Sequence, residues 1–293
     1  MFRTLADVPI AVVVFDFDPL VHLFDGFVVR WSTLALAAAI AATLVVVGLI
    51  GRRDRLRADD LLFIAVGAVP GAVIGGRLGD VLRRPEAYQA TPSGLFDPTF
   101  GGMDLALAVV GGMITASIVA GLLGAPVAAW ARACALPLLV LLGAGKLTMV
   151  LSGTGQGLPF EDAWATAYLG PGPWGSLAPD LPSYPSQAME GLASLAIATV
   201  LLLIAWLRDI HGDGRRLLLV VTLWSAARVV VSLTWRDPAV LGPLNAGGLI
   251  ALAVAVGAAI GWVVLARLPV RSPGSGDAAG GPAWPEPETR PRF

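Results

Sequence analysis

Three cations stand inside runs that are otherwise apolar: Arg77, Lys146 and Arg228. Lys146 is the only lysine in the chain. A charge at the centre of a hydrocarbon layer costs at least roughly 2.5–3.5 kcal/mol, so such a group normally faces a cavity or a partner. Arg30, a fourth cation, precedes Trp31 at the start of an apolar run, where its head can reach the interface. Acidic partners are few. Asp80 follows Arg77 by three residues, which puts both on one helix face. Asp104 and Glu190 fall at helix ends. Pairing Arg77 with Asp80 and Arg228 with Glu190 explains two of the cations structurally and leaves Lys146 unmatched. The alternative is that the three surround one anion. A phospholipid phosphate suits them, since an arginine fork engages two oxygens and a lysine acts as a point charge.

Other polar groups are sparse. Tyr184-Pro185-Ser186-Gln187 with Glu190 opens a helix, where Ser186 is either a cap or part of a head-group wall. Gly71, Gly75 and Gly79 recur every fourth residue and make a smooth ridge that sets Arg77 among neighbouring helices. Gly111 and Gly112 permit close helix packing or the approach of backbone to a ligand. The single cysteine, Cys134, lies in an apolar run and reads as a packed thiol. His22 and His211 are far apart and fall on opposite expected sides, so no histidine metal site is expected. There is no GxSxG, P-loop or HExxH motif, and nothing implies a cofactor.

These groups must be positioned by membrane helices. Of 293 residues, 56% are hydrophobic and 14% charged, against about 25% charged in an ordinary soluble domain. A net charge of −1 argues against nucleic acid as a partner. Asp7, Asp16, Asp18 and Asp25 interrupt the first apolar stretch, so a cleavable leader is not expected. A span needs about 20 mainly apolar residues. Seven windows qualify: Trp31–Ile50, Leu61–Leu82, Leu105–Leu123, Ala133–Leu151, Ala188–Leu207, Leu217–Trp235 and Ala246–Ala266. Val8–Phe27 is apolar but studded with acids and reads as an interfacial or re-entrant piece, with an eighth span as the alternative.

Arginines orient the bundle, because basic residues concentrate on cytoplasmic loops. Arg52, Arg53, Arg55, Arg57, Arg132, Arg208, Arg215, Arg216, Arg267 and Arg271 share one side if seven helices alternate. The expectation is an all-α polytopic bundle with the N-terminus outside and the C-terminus cytoplasmic. Residues 1–30 form an extracytoplasmic or interfacial segment and 31–266 the helical domain. The outer loop 152–187 carries Trp164, Tyr168, Trp174 and Tyr184, as either an aromatic belt or a folded cap. Residues 267–293 read as a disordered tail.

Several segments, in order, resemble the prolipoprotein diacylglyceryl transferase family. Arg30-Trp31 resembles its entry to the first helix, and Pro70-Gly71 through Gly75-Gly76-Arg77-Leu78-Gly79 its P-G-x-x-x-G-x-R-x-G stretch. Gly101-Gly102-Met103 followed by Gly111-Gly112 is similar to its G-G-M-x-x-x-G-G region. Gly143-Ala144-Gly145-Lys146 sits where its G-R-x-G-N-F-x-N-x-E signature begins. Pro185-Ser186-Gln187 with Glu190 resembles R-H-P-S-Q-x-Y-E. Trp224 through Arg228 resembles Y-G-x-x-R, and Trp235-Arg236-Asp237-Pro238 resembles R-x-P-D. The likeness runs from about Arg30 to Ala266. The chain departs from it at Val110, Met149, Thr154, Tyr184 and Ser232, where the family carries His, Asn, Glu, His and Glu, and Lys146 replaces an Arg.

The resemblance implies a seven-helix protein of the bacterial cytoplasmic membrane. Its implied activity moves diacylglycerol from phosphatidylglycerol to the lipobox cysteine of a lipoprotein precursor. A thiolate attacks the glyceryl carbon that bears the phosphate. Lys146, Arg228 and Arg77 then stabilise the leaving phosphate, and Glu190, Asp80 or the phosphate itself takes the thiol proton. Gly111, Gly112, Tyr184, Ser186, Gln187 and Trp224 are expected to shape the substrate site. The missing polar groups favour a rival reading, a non-catalytic relative that binds an anionic lipid or a lipoprotein partner. A small-solute transporter is disfavoured by the absence of an internal repeat.

Overall fold

The computed structural model describes residues 12–24, 26–97, 99–208 and 214–267. Seven long helices dominate it: α1 (Trp31–Arg53), α2 (Ala58–Arg83), α4 (Leu105–Leu122), α5 (Val127–Val150), α6 (Ser186–Arg208), α7 (Arg215–Ser232) and α8 (Ala246–Arg267). A short α3 (Pro85–Ala90) lies between α2 and α4. Six of the long helices have the length and apolar content to cross a membrane. The other, α7, corresponds to the window Leu217–Trp235 and carries Arg215, Arg216 and Arg228. Only 11–33% of each apolar window is buried within the protein. Outward faces such as Val45, Leu62, Ile74, Ile118, Leu202 and Ile260 therefore need an apolar solvent, which a bilayer supplies. The chain is a polytopic helical membrane protein.

Close packing follows the small residues. A Cβ on Gly71 would run into the carbonyl oxygen of Gly111, and one on Gly75 into that of Leu107. The α2 ridge thus lies directly against α4, with backbones nearly touching, as small residues at four-residue spacing allow. Helix α5 packs on α1, α6 and α7, and α7 packs on α8. A core of Leu139, Val220, Val221, Trp224 and Val254 joins α5, α7 and α8.

One end of the bundle carries structure beyond helices. Strand β1 (Val13–Phe15) pairs in parallel with β4 (Thr166–Tyr168), and β2 (Leu20–Phe24) forms a hairpin with β3 (Phe27–Arg30). A further small pair, β5 (Ala239–Leu241) and β6 (Leu244–Asn245), leads into α8. The described part of the acid-studded segment is therefore strand and turn, and an eighth span is not formed there. Asp16, Asp18 and the other interruptions deny it a helical apolar stripe, while its Val and Phe residues favour extended backbone. The 152–187 segment folds back on itself and onto β1. Tyr168 is 1% exposed and stacks on Phe15 at 5.0 Å between ring centroids. Arg267, the first residue of the expected disordered tail, ends α8; the rest of that tail, including Arg271, and His211 lie outside the described residues.

Candidate functional site

Glu190 sits one turn into α6, 2% exposed. The Nζ of Lys146, on α5, lies 3.0 Å from its Oε2. Arg228, on α7, donates from Nη1 to its Oε1 in a short contact. Lys146 therefore has a protein partner, contrary to the expectation that it stands unmatched. The spacing of 44 residues hid the pair. Arg228 also places Nη2 at 3.7 Å from Asp104 Oδ2. Its guanidinium lies 4.6 Å from the centre of the Trp235 ring and 5.9 Å from that of Trp224, within the range where a cation is attracted to an aromatic face.

Arg77 does not join this group. It is 8% exposed and donates to the carbonyl oxygens of Asp97, Phe100 and Gly102 and to the Tyr88 hydroxyl. Nor does it pair with Asp80. That carboxylate accepts from Arg84 at 2.6 Å, Tyr88 at 2.7 Å and the Gly102 backbone N–H at 2.9 Å. The convergence of three cations is thus overturned: two meet at Glu190, and Arg77 clamps a strap of loop backbone at Asp97, Phe100 and Gly102. The guanidinium reaches past the nearest acid because the strap offers it three backbone carbonyls. Asp80, fully engaged there, is removed from the candidate proton acceptors. Outside the spans, the Asp80 carboxylate raises the Arg84 pKa, and burial together with Asp80 raises that of Tyr88.

A cavity of about 450 Å³ opens beside Glu190. Lys146, Arg228, Arg83 and Arg236 line it, with Glu190 and Asp237 as its carboxylates and Met149 and Gln187 among its other walls. Arg83 pairs with Asp237 across 154 residues. Arg236 donates to the Gly157 carbonyl, to Ser183 Oγ at 2.9 Å and to Gln156 Oε1 at 3.4 Å. It thereby fastens the 152–187 segment over the cavity, and burial lowers its pKa. Gln187 donates to the Tyr168 hydroxyl at 3.0 Å. Burial pushes the Tyr168 phenol up to about 12.

A second, larger cleft of about 810 Å³ runs between α1, α2, α4 and α5. Its walls are apolar along most of their length, including Leu36, Leu61, Ala65, Val109 and Leu141. Leu105, Lys146 and Met149 line both spaces, so the ammonium stands where the apolar cleft meets the cationic cavity. The shape suits an amphiphile with an anionic head.

The remaining expected residues divide. Gln187 lines the cavity, and Gly112 lines the apolar cleft. Gly111 is spent on the α2 contact. Ser186 turns to Thr234, with 2.6 Å between hydroxyls, and packs where a Cβ on Gly157 would sit. Tyr184 stacks on Phe160 at 4.0 Å. Trp224 is fully buried beneath Arg228. Arg83, Asp104 and Arg236 were not among the expected site residues. The Trp235-Arg236-Asp237-Pro238 match carried the signal for Arg236, but Asp104 gave none beyond its place at a helix end.

A family model described as prolipoprotein diacylglyceryl transferase matches residues 19–264. A phosphatidylglycerol–prolipoprotein diacylglyceryl transferase of Clostridioides difficile (strain 630) is 23% identical over 250 residues, which cover 85% of this chain and 96% of the relative. One from Symbiobacterium thermophilum is 28% identical over 272 residues, covering 90% and 97%. One from Frankia alni is 29% identical over 241 residues, covering 77% of this chain and 63% of the relative.

Proposed function

The chain belongs to the prolipoprotein diacylglyceryl transferase family, and on that premise we propose that it moves diacylglycerol from phosphatidylglycerol to the lipobox cysteine of a lipoprotein precursor. The observation that carries the proposal is the junction at Lys146 between the apolar cleft and the cationic cavity. Acyl chains lie in the cleft, and the phosphate meets Lys146 and Arg228. The precursor's thiolate attacks the glyceryl carbon that bears the phosphate. A carbon–sulfur bond forms as the carbon–oxygen bond breaks, and glycerol phosphate leaves. Lys146 and Arg228 stabilise the charge that develops on the leaving oxygen. Both oxygens of Glu190 are held by the two cations. It serves as the fixed counter-charge that keeps them side by side, and the departing phosphate takes the thiol proton.

The site end of the bundle faces outward in this proposal, toward the compartment where lipoboxes of precursors emerge. The arginines of the opposite end, including Arg52, Arg53, Arg132, Arg215 and Arg216, support that orientation in the bacterial cytoplasmic membrane. One observation favours a second reading. Among the described residues no histidine lines the cavity, and both its carboxylates are ion-paired, which fits a protein that binds the lipid without turning it over. Expression in cells depleted of their own transferase, with the mass of a lipobox reporter as the readout, separates the two. A shift of one diacylglyceryl group supports the transferase. An unshifted reporter, with the protein present in the membrane, rejects it.

A further inference from the structure

Asp104 stands directly behind the proposed phosphate site and is not exposed at all. Its Oδ1 accepts the Leu107 N–H at 3.0 Å and so caps α4. Its own N–H is tied to the Gly76 carbonyl at 2.9 Å. The second oxygen, Oδ2, has no hydrogen-bond partner and faces Arg228 Nη2 at 3.7 Å. A cap needs a single side-chain oxygen, which serine or asparagine supplies as well as aspartate. The second oxygen is a buried negative charge beyond what the cap requires, and burying it is costly unless the charge is compensated.

The charges around the cavity give it a use. Four cations line it, Arg83, Lys146, Arg228 and Arg236, against two carboxylates, Glu190 and Asp237. Asp104 adds a third carboxylate from behind, which reduces the excess from two positive charges to one. A phosphodiester lipid carries one negative charge, whereas a phosphomonoester carries up to two. We propose that Asp104 sets the anion preference of the site: by drawing on Arg228 it matches the cavity to a phosphodiester head and disfavours a phosphomonoester dianion. Within the proposed reaction, on which this rests, the diester is the donor and the monoester is what must leave. Asp104 acts through Arg228 and is a positioning residue for charge.

Asp104→Asn and Asp104→Ser keep a capping oxygen and remove the charge, while Asp104→Glu keeps the charge. The purified full chain in detergent, at mildly alkaline pH, is titrated calorimetrically with dihexanoyl phosphatidylglycerol, dihexanoyl phosphatidate and dihexanoyl phosphatidylcholine. The unsubstituted protein should bind the glycerol diester more tightly than the phosphatidate, and Asp104→Glu should keep that order. Asp104→Asn and Asp104→Ser should shift the ratio toward phosphatidate by about fivefold or more, the scale of one unit charge acting on one extra charge through partly screened surroundings. A ratio unchanged in both neutral variants overturns the role of Asp104. A failure of the unsubstituted protein to bind phosphatidylglycerol at all instead overturns the anion site itself.

Discussion

Lys146 and Arg228 hold opposite oxygens of one carboxylate, Glu190, from two different helices. Neither cation is free, and neither is neutralised alone. The trio by itself carries one positive charge next to an apolar cleft, and Asp104 draws on it from behind Arg228.

Removing the shared carboxylate should be costly in two ways. Glu190→Gln leaves two cations facing each other with only Asp104, on the Arg228 side, as countercharge, and breaking a buried pair by deleting one partner costs about 3–5 kcal/mol. Thermal unfolding in detergent should shift down by several degrees, and reporter lipidation should be lost. A variant that melts like the parent and lipidates the reporter would remove Glu190 from the centre.

Lys146→Ala should abolish lipidation in a protein that still inserts, with a loss of roughly 100-fold or more, the usual scale for one group that stabilises a leaving anion. Lys146→Arg should retain part of the activity, because the charge remains and its fork suits phosphate. Initial rates on a lipobox reporter check both. Equal loss in the two variants would point to packing at this position and not to charge.

Arg77 should behave differently from Lys146. It is fixed by backbone carbonyls of the strap, away from the cavity. Arg77→Lys keeps the charge but cannot reproduce the fork, so it should destabilise nearly as much as Arg77→Ala, by about 3 kcal/mol for several lost charge-assisted bonds. In the folded fraction, KM for phosphatidylglycerol should stay within about twofold of the parent value, because no strap bond touches the lipid site. A large rise in KM with normal stability would restore Arg77 to the phosphate.

This contrast shows what the sequence disclosed and what it hid. All seven helical windows were legible, because apolar runs of this length have few other uses. Helix α5 begins at Val127, ahead of the expected Ala133, since Arg132 reaches Asp54 at 2.9 Å and does not end the helix. The ridge of Gly71, Gly75 and Gly79 announced the α2–α4 contact. Of the cations' partners, Glu190 for Arg228 was legible and forms as expected, whereas those of Arg77 and Lys146 were not. Asp80 was the nearest acid to Arg77 along the chain, yet the strap wins it for Arg84 and Tyr88. Lys146 found Glu190 only once α5 and α6 were packed. Local spacing names neighbours on one helix and says nothing of a guanidinium that reaches across to a loop.

The apolar cleft offers a test of its own. Ala65 lines it on α2. Ala65→Phe should raise KM about tenfold for a long-chain donor, because the ring occupies space meant for methylenes worth about 0.8 kcal/mol each. A dihexanoyl donor should be little affected. Equal effects on both donors would show that acyl chains do not use this cleft.

Alkaline pH should loosen the cap through Tyr168. Its phenol titrates near 12 in the folded protein against an ordinary value of 10.0. The folded pKa is raised, so the associated stability is complete below about 10 and is lost as pH climbs toward about 12. The melting temperature should fall across that window, and Tyr168→Phe should flatten the fall. An unaltered alkaline profile in that variant would contradict the assignment.

The account stands most directly on where a lipid head resides. Phosphatidylglycerol carrying a photoreactive group on its glycerol head, crosslinked to the purified full chain and mapped by peptide mass, measures this. Adducts should fall on cavity residues such as Met103, Met149 and Gln187, and Lys146→Ala should suppress them. Adducts confined to outward faces such as Leu62 or Ile260, and indifferent to Lys146→Ala, would contradict a phosphate site between Lys146 and Arg228.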